Sequence, residues 1–267
     1  MMLRDKVVVV TGAGGGIGRE IALAMAAEGA RVVVNDIGAS VGGQGHDAGP
    51  AQRVVDEIRA AGGQAEIALG DLETWAGAQQ ITAAALAAYG RIDVLVNNVG
   101  GTIWARPYWE YAPEEIEKEV QRSLWPTLWT CRAVIPHMVE RRAGAIVNVG
   151  STATRGVYRV PYTACKGGVH AITVSLAYEL AEFGVRVNCI APGGTDVGQR
   201  AIPRTPTPPT ERDQQWMRGV MDQTLQDAFI KRFAKPEEQA AAICFLASPE
   251  ASYLTGYVLP VSGGTAI

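Results

Sequence analysis

Short unbroken runs of Val, Ile, Leu and Ala recur along the chain, and longer stretches with helix-like apolar spacing lie between them. The runs Lys6–Thr11, Arg31–Asp36, Ala65–Leu69, Asp93–Asn97, Ala145–Val149, Arg186–Ile190 and Tyr257–Val261 predict strands. Most are continuous rather than alternating, the pattern of parallel strands covered on both faces. Helices are expected at Gly16–Glu28, Pro50–Ala61, Thr74–Tyr89, Pro113–Arg141, Pro161–Phe183 and Pro236–Ala247. Strands alternating with helices define an α/β chain with a doubly wound, seven-stranded parallel sheet. No repeat or internal linker interrupts it, so residues 1–267 read as a single domain.

Two segments break the rhythm. Gly38–Pro50 is glycine-rich and follows the second strand. Gly198–Asp227 carries Pro203, Pro206, Pro208 and Pro209, then a polar helical stretch. Long loops are often functional, and open α/β sheets bind ligands beyond their strand C-termini. Residues 198–228 are therefore expected to form a substrate loop, with a decorated surface or an oligomer contact as the alternative.

Composition narrows the function. Hydrophobic residues make up 48% and charged residues 19%, enough for a large core, and the formal charge of −3 offers no footprint for nucleic acid. No apolar run approaches the roughly 20 residues that span a membrane. Met1–Lys6 enters a strand without a signal-peptide pattern. A soluble, cytoplasmic protein with a small-molecule substrate is expected. Cys131, Cys165, Cys189 and Cys244 are scattered, as are His46, His137 and His170. Buried small hydrophobes suit these cysteines better than a metal site.

The first strand runs into Thr11-Gly12-Ala13-Gly14-Gly15-Gly16-Ile17-Gly18, and helix follows. Glycines at 12, 16 and 18 permit a sharp turn, close approach of backbone to phosphate and tight helix packing, with Gly14, Gly15 and Ile17 completing the cradle. The free N–H groups of the helix start suit a pyrophosphate. Asp36 ends the second strand, where a carboxylate accepts from both adenosine ribose hydroxyls and repels a 2′-phosphate, so NAD is expected over NADP. Arg19 is the contrary sign, since a base near the turn can bind a phosphate. Asp71 and Leu72 close the third strand, with Asp71 placed for the adenine amine. Asn98, Val99 and Gly100 close the fourth, beside adenosine and its ribose. Each of these turns can also be plain turn chemistry. The cradle makes the fold Rossmann-like.

Tyr162 and Lys166 lie four apart in Y-T-A-C-K. A free phenol is protonated near neutral pH. An ammonium one helical turn away shares its face and favours the phenolate, giving a base for an alcohol proton. Ser151, at the end of the preceding strand, can hold the substrate oxygen.

The ordered motifs T-G-A-G-G-G-I-G, N-N-V-G, Ser151, Y-T-A-C-K, A-P-G-G-T and L-T-G-Y-V-L-P-V-S-G-G resemble those of the classical short-chain dehydrogenases/reductases over essentially the whole chain. The resemblance implies Tyr162 as general base, Lys166 as its activator and Ser151 as substrate orienter. It also implies that Val185–Thr195 flanks the nicotinamide, through Ile190, Pro192 and Thr195, and that the protein is a homotetramer. Three departures stand out. Ser123 occupies the position where the family usually has an Asn of a proton relay. The Ser151–Tyr162 spacing is short. The threonine after Pro192-Gly193 comes early, at Thr195.

The runs at 97–106, 122–129, 151–162 and 191–195 are further similar to bacterial dehydrogenases of benzoate- and toluate-type cis-dihydrodiols. That likeness implies oxidation of a carboxylated cis-dihydrodiol with loss of carbon dioxide to a catechol. An anionic substrate needs a cation, and an Arg fork suits a carboxylate. Arg155 ranks first, ahead of Arg159, Arg106, Arg122 and Arg204. Trp104, Trp125 and Tyr158 can wall a ring-sized pocket, or serve as plain core. Dehydrogenases of p-cumate-type dihydrodiols, general alcohol dehydrogenases or ketoreductases, and an NAD-sensing binding protein remain alternatives.

Overall fold

The computed structural model describes residues 1–38, 47–198 and 208–265. The expectations placed on His46, Arg204, Pro203 and Pro206 lie outside the described residues, as does part of each long loop.

Seven parallel strands form one sheet in the order β3-β2-β1-β4-β5-β6-β7. They are β1 (Val7–Thr11), β2 (Arg31–Asn35), β3 (Gln64–Ala68), β4 (Val94–Asn97), β5 (Gly144–Val149), β6 (Val185–Pro192) and β7 (Val258–Val261). The doubly wound, seven-stranded Rossmann-like sheet is as expected. The helices are α1 (Gly16–Ala27), α2 (Gly49–Ala60), α3 (Trp75–Tyr89), α4 (Pro113–Ser123), α5 (Trp125–Arg141), α6 (Val160–Leu180), α7 (Glu211–Asp227) and α8 (Pro236–Ala247).

The V-V-V-V of β1 shows why the strands are unbroken apolar runs. Val8 and Val10 face one layer with Ile21, Met25, Val54, Ile58 and Ile243, from α1, α2 and α8. Val9 faces the other, with Ile81, Ala85, Val134 and Met138 from α3 and α5. Each fully buried Val, Leu or Ile contributes about 1.5–3 kcal/mol, so both faces drive the winding.

The strand order reverses between β1 and β4. Thr11 Oγ1 donates to the Val96 carbonyl (3.2 Å) and accepts from the Asn98 N–H (2.9 Å). A crevice opens at such a reversal, beyond the strand C-termini. A buried polar chain ties the next strands and helices together. Thr130 Oγ1 donates to Asn97 Oδ1 (2.6 Å), Asn97 Nδ2 to Asn148 Oδ1 (2.9 Å), and Asn148 Nδ2 to Thr173 Oγ1 (2.9 Å). It fixes the ends of β4 and β5 against α5 and α6.

One predicted helix is two. The stretch 113–141 breaks at Leu124, with φ −122° and ψ −52°. Pro126 has no N–H for the Arg122 carbonyl and its ring crowds that oxygen, which interrupts an α-helix. The break leaves Ser123 as the last residue of α4. The polar stretch after the prolines is helical as expected: Thr210 and Asp213 form a reciprocal capping box that starts α7.

Candidate active site

The glycine turn sits where β1 meets α1. A Cβ on Gly18 would stand 2.0 Å from the Gly12 carbonyl oxygen, so only glycine permits this approach of turn and helix. Gly12 and Gly16 have φ of +62° and +54°, a region that disfavours other residues. Gly14 presses against Asp36, whose Oδ2 accepts from the Gly14 N–H (2.9 Å) while Oδ1 accepts from the Gly38 N–H (2.9 Å). Gly15 precedes α1 without a side-chain cap, and a Cβ there would meet open space. The first-turn N–H groups of α1 therefore face an open cradle beside an anchored carboxylate. These features fit a dinucleotide pyrophosphate and adenosine ribose. Ile17 packs on the core beneath.

Arg19 is engaged by Glu20 and Glu57 in ion pairs. Asp71 accepts from the Glu73 N–H (3.0 Å) at the turn into α3, and Leu72 is buried in the core. Asn98 Nδ2 donates to the Thr11 and Gly12 carbonyls, both at 3.1 Å, and so locks the β4 end to the glycine turn. Val99 and Gly100 continue along the crevice, half-buried. Pro192 ends β6, and its carbonyl accepts from the Thr152 N–H (3.0 Å). Thr195 bridges to Ala234, and Val197 lies beside Gly16, so the chain beyond β6 flanks the cradle.

Tyr162 and Lys166 lie in the first turns of α6, with the Lys166 ammonium 5.8 Å from the Tyr162 ring centre. Lys166 is buried, and its Nζ donates to the Val149 carbonyl (2.7 Å). Ser151 follows β5, and its Oγ accepts from the Ala153 N–H (3.0 Å), which leaves the hydroxyl proton to donate. Thr163 Oγ1 donates to the Ala153 carbonyl (2.7 Å), pulling the start of α6 onto the Ser151 turn. Ser123 joins this group from α4. A Cβ on Gly100 would lie 3.2 Å from Lys166 Nζ and 3.5 Å from Ser123 Oγ.

Glu119 was not anticipated. Fully buried one helical turn before Ser123, it accepts from Ser123 Oγ (3.0 Å) and from the Ile103 N–H (3.0 Å). Ser123 Oγ in turn accepts from the Gly101 N–H (3.3 Å). The carboxylate thus holds both the hydroxyl beside Lys166 and the loop after β4. Its i, i+4 spacing to Ser123 was the one available signal, hidden in the charged run P-E-E-I-E-K-E.

On the substrate side, Trp104 is half-buried and its carbonyl accepts from Tyr111 Oη (2.9 Å). The Tyr158 carbonyl accepts from Tyr111 Oη (3.1 Å) and the Arg106 N–H (2.7 Å). Tyr158 has a φ of +59°, strained for a bulky residue, and its ring packs on Gly219 of α7. Trp125 does not join this wall. It stacks on Trp129 at 5.1 Å, and Trp129 leans on Trp75 of α3, because the Leu124 break starts α5 facing α3. Arg155 is exposed, whereas Arg159 reaches back over the Tyr162 ring. Burial pushes the four cysteine thiols up, to about 12 for Cys131, Cys189 and Cys244 and about 11 for Cys165, as befits small core residues.

A dinucleotide cradle at the sheet's switch point, with a Ser/Tyr/Lys set across the crevice, defines an alcohol-oxidising or carbonyl-reducing enzyme. Residues 6–205 match the short chain dehydrogenase family model, and the chain belongs to that family. It is accordingly an oxidoreductase that works with a nicotinamide dinucleotide. Two relatives are each called 1,6-dihydroxycyclohexa-2,4-diene-1-carboxylate dehydrogenase. The one from Acinetobacter baylyi is 51% identical, over 97% of this chain and 95% of its own. The one from Pseudomonas putida is 48% identical, over 98% and 93%. Among solved structures, a 7α-hydroxysteroid dehydrogenase complexed with NADH and 7-oxo glycochenodeoxycholic acid superposes with a TM-score of 0.83 at 31% identity, covering 99% of this chain and 95% of its own. No helix among the described residues is long and apolar enough to cross a membrane.

Proposed function

We propose that the protein oxidises a carboxylated aromatic cis-dihydrodiol, of the 1,6-dihydroxycyclohexa-2,4-diene-1-carboxylate type, to a catechol with loss of carbon dioxide, using NAD. The observation that carries this reading is the near full-length likeness to two dehydrogenases of that name. The Ser151, Tyr162 and Lys166 arrangement supplies chemistry that suits it.

Ser151 donates to the substrate hydroxyl on the carbon next to the carboxylated one and fixes its orientation. Tyr162 takes that hydroxyl's proton, with the buried Lys166 ammonium 5.8 Å from its ring centre. Bound in the cradle, the nicotinamide dinucleotide supplies the hydride acceptor. The oxidised product is a β-keto acid. Its carbon–carboxylate bond breaks, carbon dioxide leaves, and the electron pair enters the ring as an enolate that regains one proton to become the catechol. The proton gained by Tyr162 balances the one returned, so one diol carboxylate and one NAD give one catechol, one carbon dioxide and one NADH. Aromatisation drives the sequence towards NADH. Glu119 holds the Ser123 hydroxyl on the Lys166 side of the site.

NAD is favoured by Asp36, whose carboxylate is held at the ribose end of the cradle by two backbone N–H groups. Arg19, the base nearest the turn, is occupied by two carboxylates and offers little to a 2′-phosphate. The unit is read as one domain with residues 198–228 as its substrate loop, acting in the cytoplasm. A homotetramer would cover the exposed Val174 and Tyr178 of α6 and Tyr253 and Tyr257 near β7.

Incubation with the carboxylated diol and either NAD or NADP tests the reading. NADH, carbon dioxide and catechol are expected in equal amounts, with NAD preferred. Turnover of simple ketones or p-cumate-type diols, with none of the carboxylated diol, would overturn the substrate.

A further inference from the structure

Arg159 stands immediately ahead of α6, three residues before Tyr162. Its guanidinium carbon lies 6.0 Å from the Tyr162 ring centre. The group is folded over Gly156, where a Cβ would stand 2.6 Å from Arg159 Nε. That Nε is sealed from solvent and has no hydrogen-bond partner. The groups acting on it electrostatically are the Tyr162 and Tyr111 phenols, and burial holds the guanidinium below its ordinary pKa. Among the described residues, no carboxylate forms an ion pair with it. Asp227 lines the same small cleft, with Thr152, Ala153 and Gln223, yet does not pair with Arg159.

Arg159 as a whole is half-buried, and a partly shielded guanidinium without a counter-ion is costly. A fold that keeps one beside its general base has left room for an anion to offset the cost. The other arginines are placed differently. Arg106 is neutralised by Glu115 (3.0 Å) and Asp213 (3.4 Å). Arg155 lines the same cleft as Arg159 but is exposed to water. Arg122 also has an unpartnered Nε, but it belongs to α4 and makes no ring contact with Tyr162.

Resting on the substrate reading above, we propose that Arg159 receives the ring carboxylate and sets the preference for carboxylated over uncarboxylated diols. The carboxylate is borne one ring bond from the oxidised carbon, so its receptor must flank Tyr162. Two cations flank that ring, and Lys166 is already bonded to the Val149 carbonyl, which leaves Arg159 for the carboxylate. Its planar fork can bond both carboxylate oxygens.

The test titrates benzoate, a carboxylate that cannot react, into the NADH-saturated enzyme and its Arg159→Gln variant. In parallel it compares kcat/KM for the carboxylated diol with that for the plain cis-benzene dihydrodiol. Charge-assisted hydrogen bonds are worth about ten- to a hundredfold in binding. Arg159→Gln should weaken benzoate by at least about that lower figure and cut the preference ratio to match, with Arg159→Lys recovering part of each. Undiminished benzoate binding in Arg159→Gln, or none in the wild type, overturns the proposal even if the carboxylated diol is a good substrate. Conversely, Arg159-dependent benzoate binding without turnover of that diol sinks the substrate reading alone. If Arg159→Gln fails to bind NADH and so has not folded, Gly156→Ala decides. Its methyl displaces the guanidinium, so weaker benzoate binding supports the assignment and undiminished binding refutes it.

Discussion

At the N-terminal edge of the sheet, the Asp93 carboxylate is buried and matched on every side. It meets Arg91 (2.5 Å), Arg141 (2.8 Å) and the Val7 N–H (2.9 Å). At the C-terminal edge, the Arg159 guanidinium is partly shielded beside Tyr162, its Nε sealed from solvent, with no carboxylate paired to it among the described residues. The carboxylate is withdrawn from water almost wholly and the guanidinium in part, and they differ in what surrounds them. The first arrangement clamps β1 to β4 and α5 and leaves nothing for a ligand. The second leaves a cation waiting for one. Compensation of buried charge therefore separates the end of the sheet that holds the fold from the end that does the chemistry.

Asp93→Ala should give the largest effect on stability. It leaves the buried Val7 N–H without an acceptor and takes the charged partner from Arg91 and Arg141, both partly exposed, and each lost bond costs about 1–3 kcal/mol. Denaturant unfolding would measure it. Burial alone would raise the Asp93 carboxyl, but Arg91, the Val7 N–H and Arg141 outweigh burial and hold it below its ordinary value. Its folded-state value lies below the unfolded one, so its contribution is complete above the usual carboxylate range. That contribution fades as pH falls through the folded value. The stability gap between wild type and Asp93→Ala should thus be constant near neutrality and close below about pH 4. A gap independent of pH would show that the carboxylate's charge is not what matters.

Glu119→Gln tests the supporting layer of the site. A glutamine offers one acceptor where two donors converge, Ser123 Oγ and the Ile103 N–H, so about 1–3 kcal/mol should be lost. If Glu119 positions Ser123, kcat should fall more than KM rises, and its pH profile should change. A uniform loss of stability with an unaltered profile would make it purely structural.

Tyr158→Gly should give the smallest effect. Relief of the left-handed backbone, about 1–2 kcal/mol, offsets the ring packing lost on Gly219. Thermal unfolding should barely move, while KM for the diol rises and NADH affinity holds. A shift in NADH affinity would contradict the division between a cofactor floor and a substrate wall.

Much of this was legible in the chain, for a physical reason. Strands covered on both faces must be continuous apolar runs, and a turn in which helix and carbonyl meet at Gly18 must be glycine. Local chemistry dictates both. Tyr162 and Lys166 were equally plain, because four residues on a helix always share a face. The break at Leu124 had its cause printed at Pro126, yet the flanking residues on both sides favour helix. Glu119 sits among five other charged residues in one helix, and nothing local says which of them is buried. Arg155 and Arg159 lie four apart in a loop of irregular backbone, where no period links sequence to direction. Only the fold of the chain over Gly156 turns one of them inward. Legibility ended where burial was decided by a distant partner.

The central claim is that Tyr162 takes the substrate proton in the oxidation of a carboxylated cis-dihydrodiol. The most direct measurement is NADH and carbon dioxide release by Tyr162→Phe, alongside its affinity for NAD. Turnover should fall by about 10²–10⁴-fold while NAD still binds as in the wild type. Turnover close to that of the wild type would contradict it.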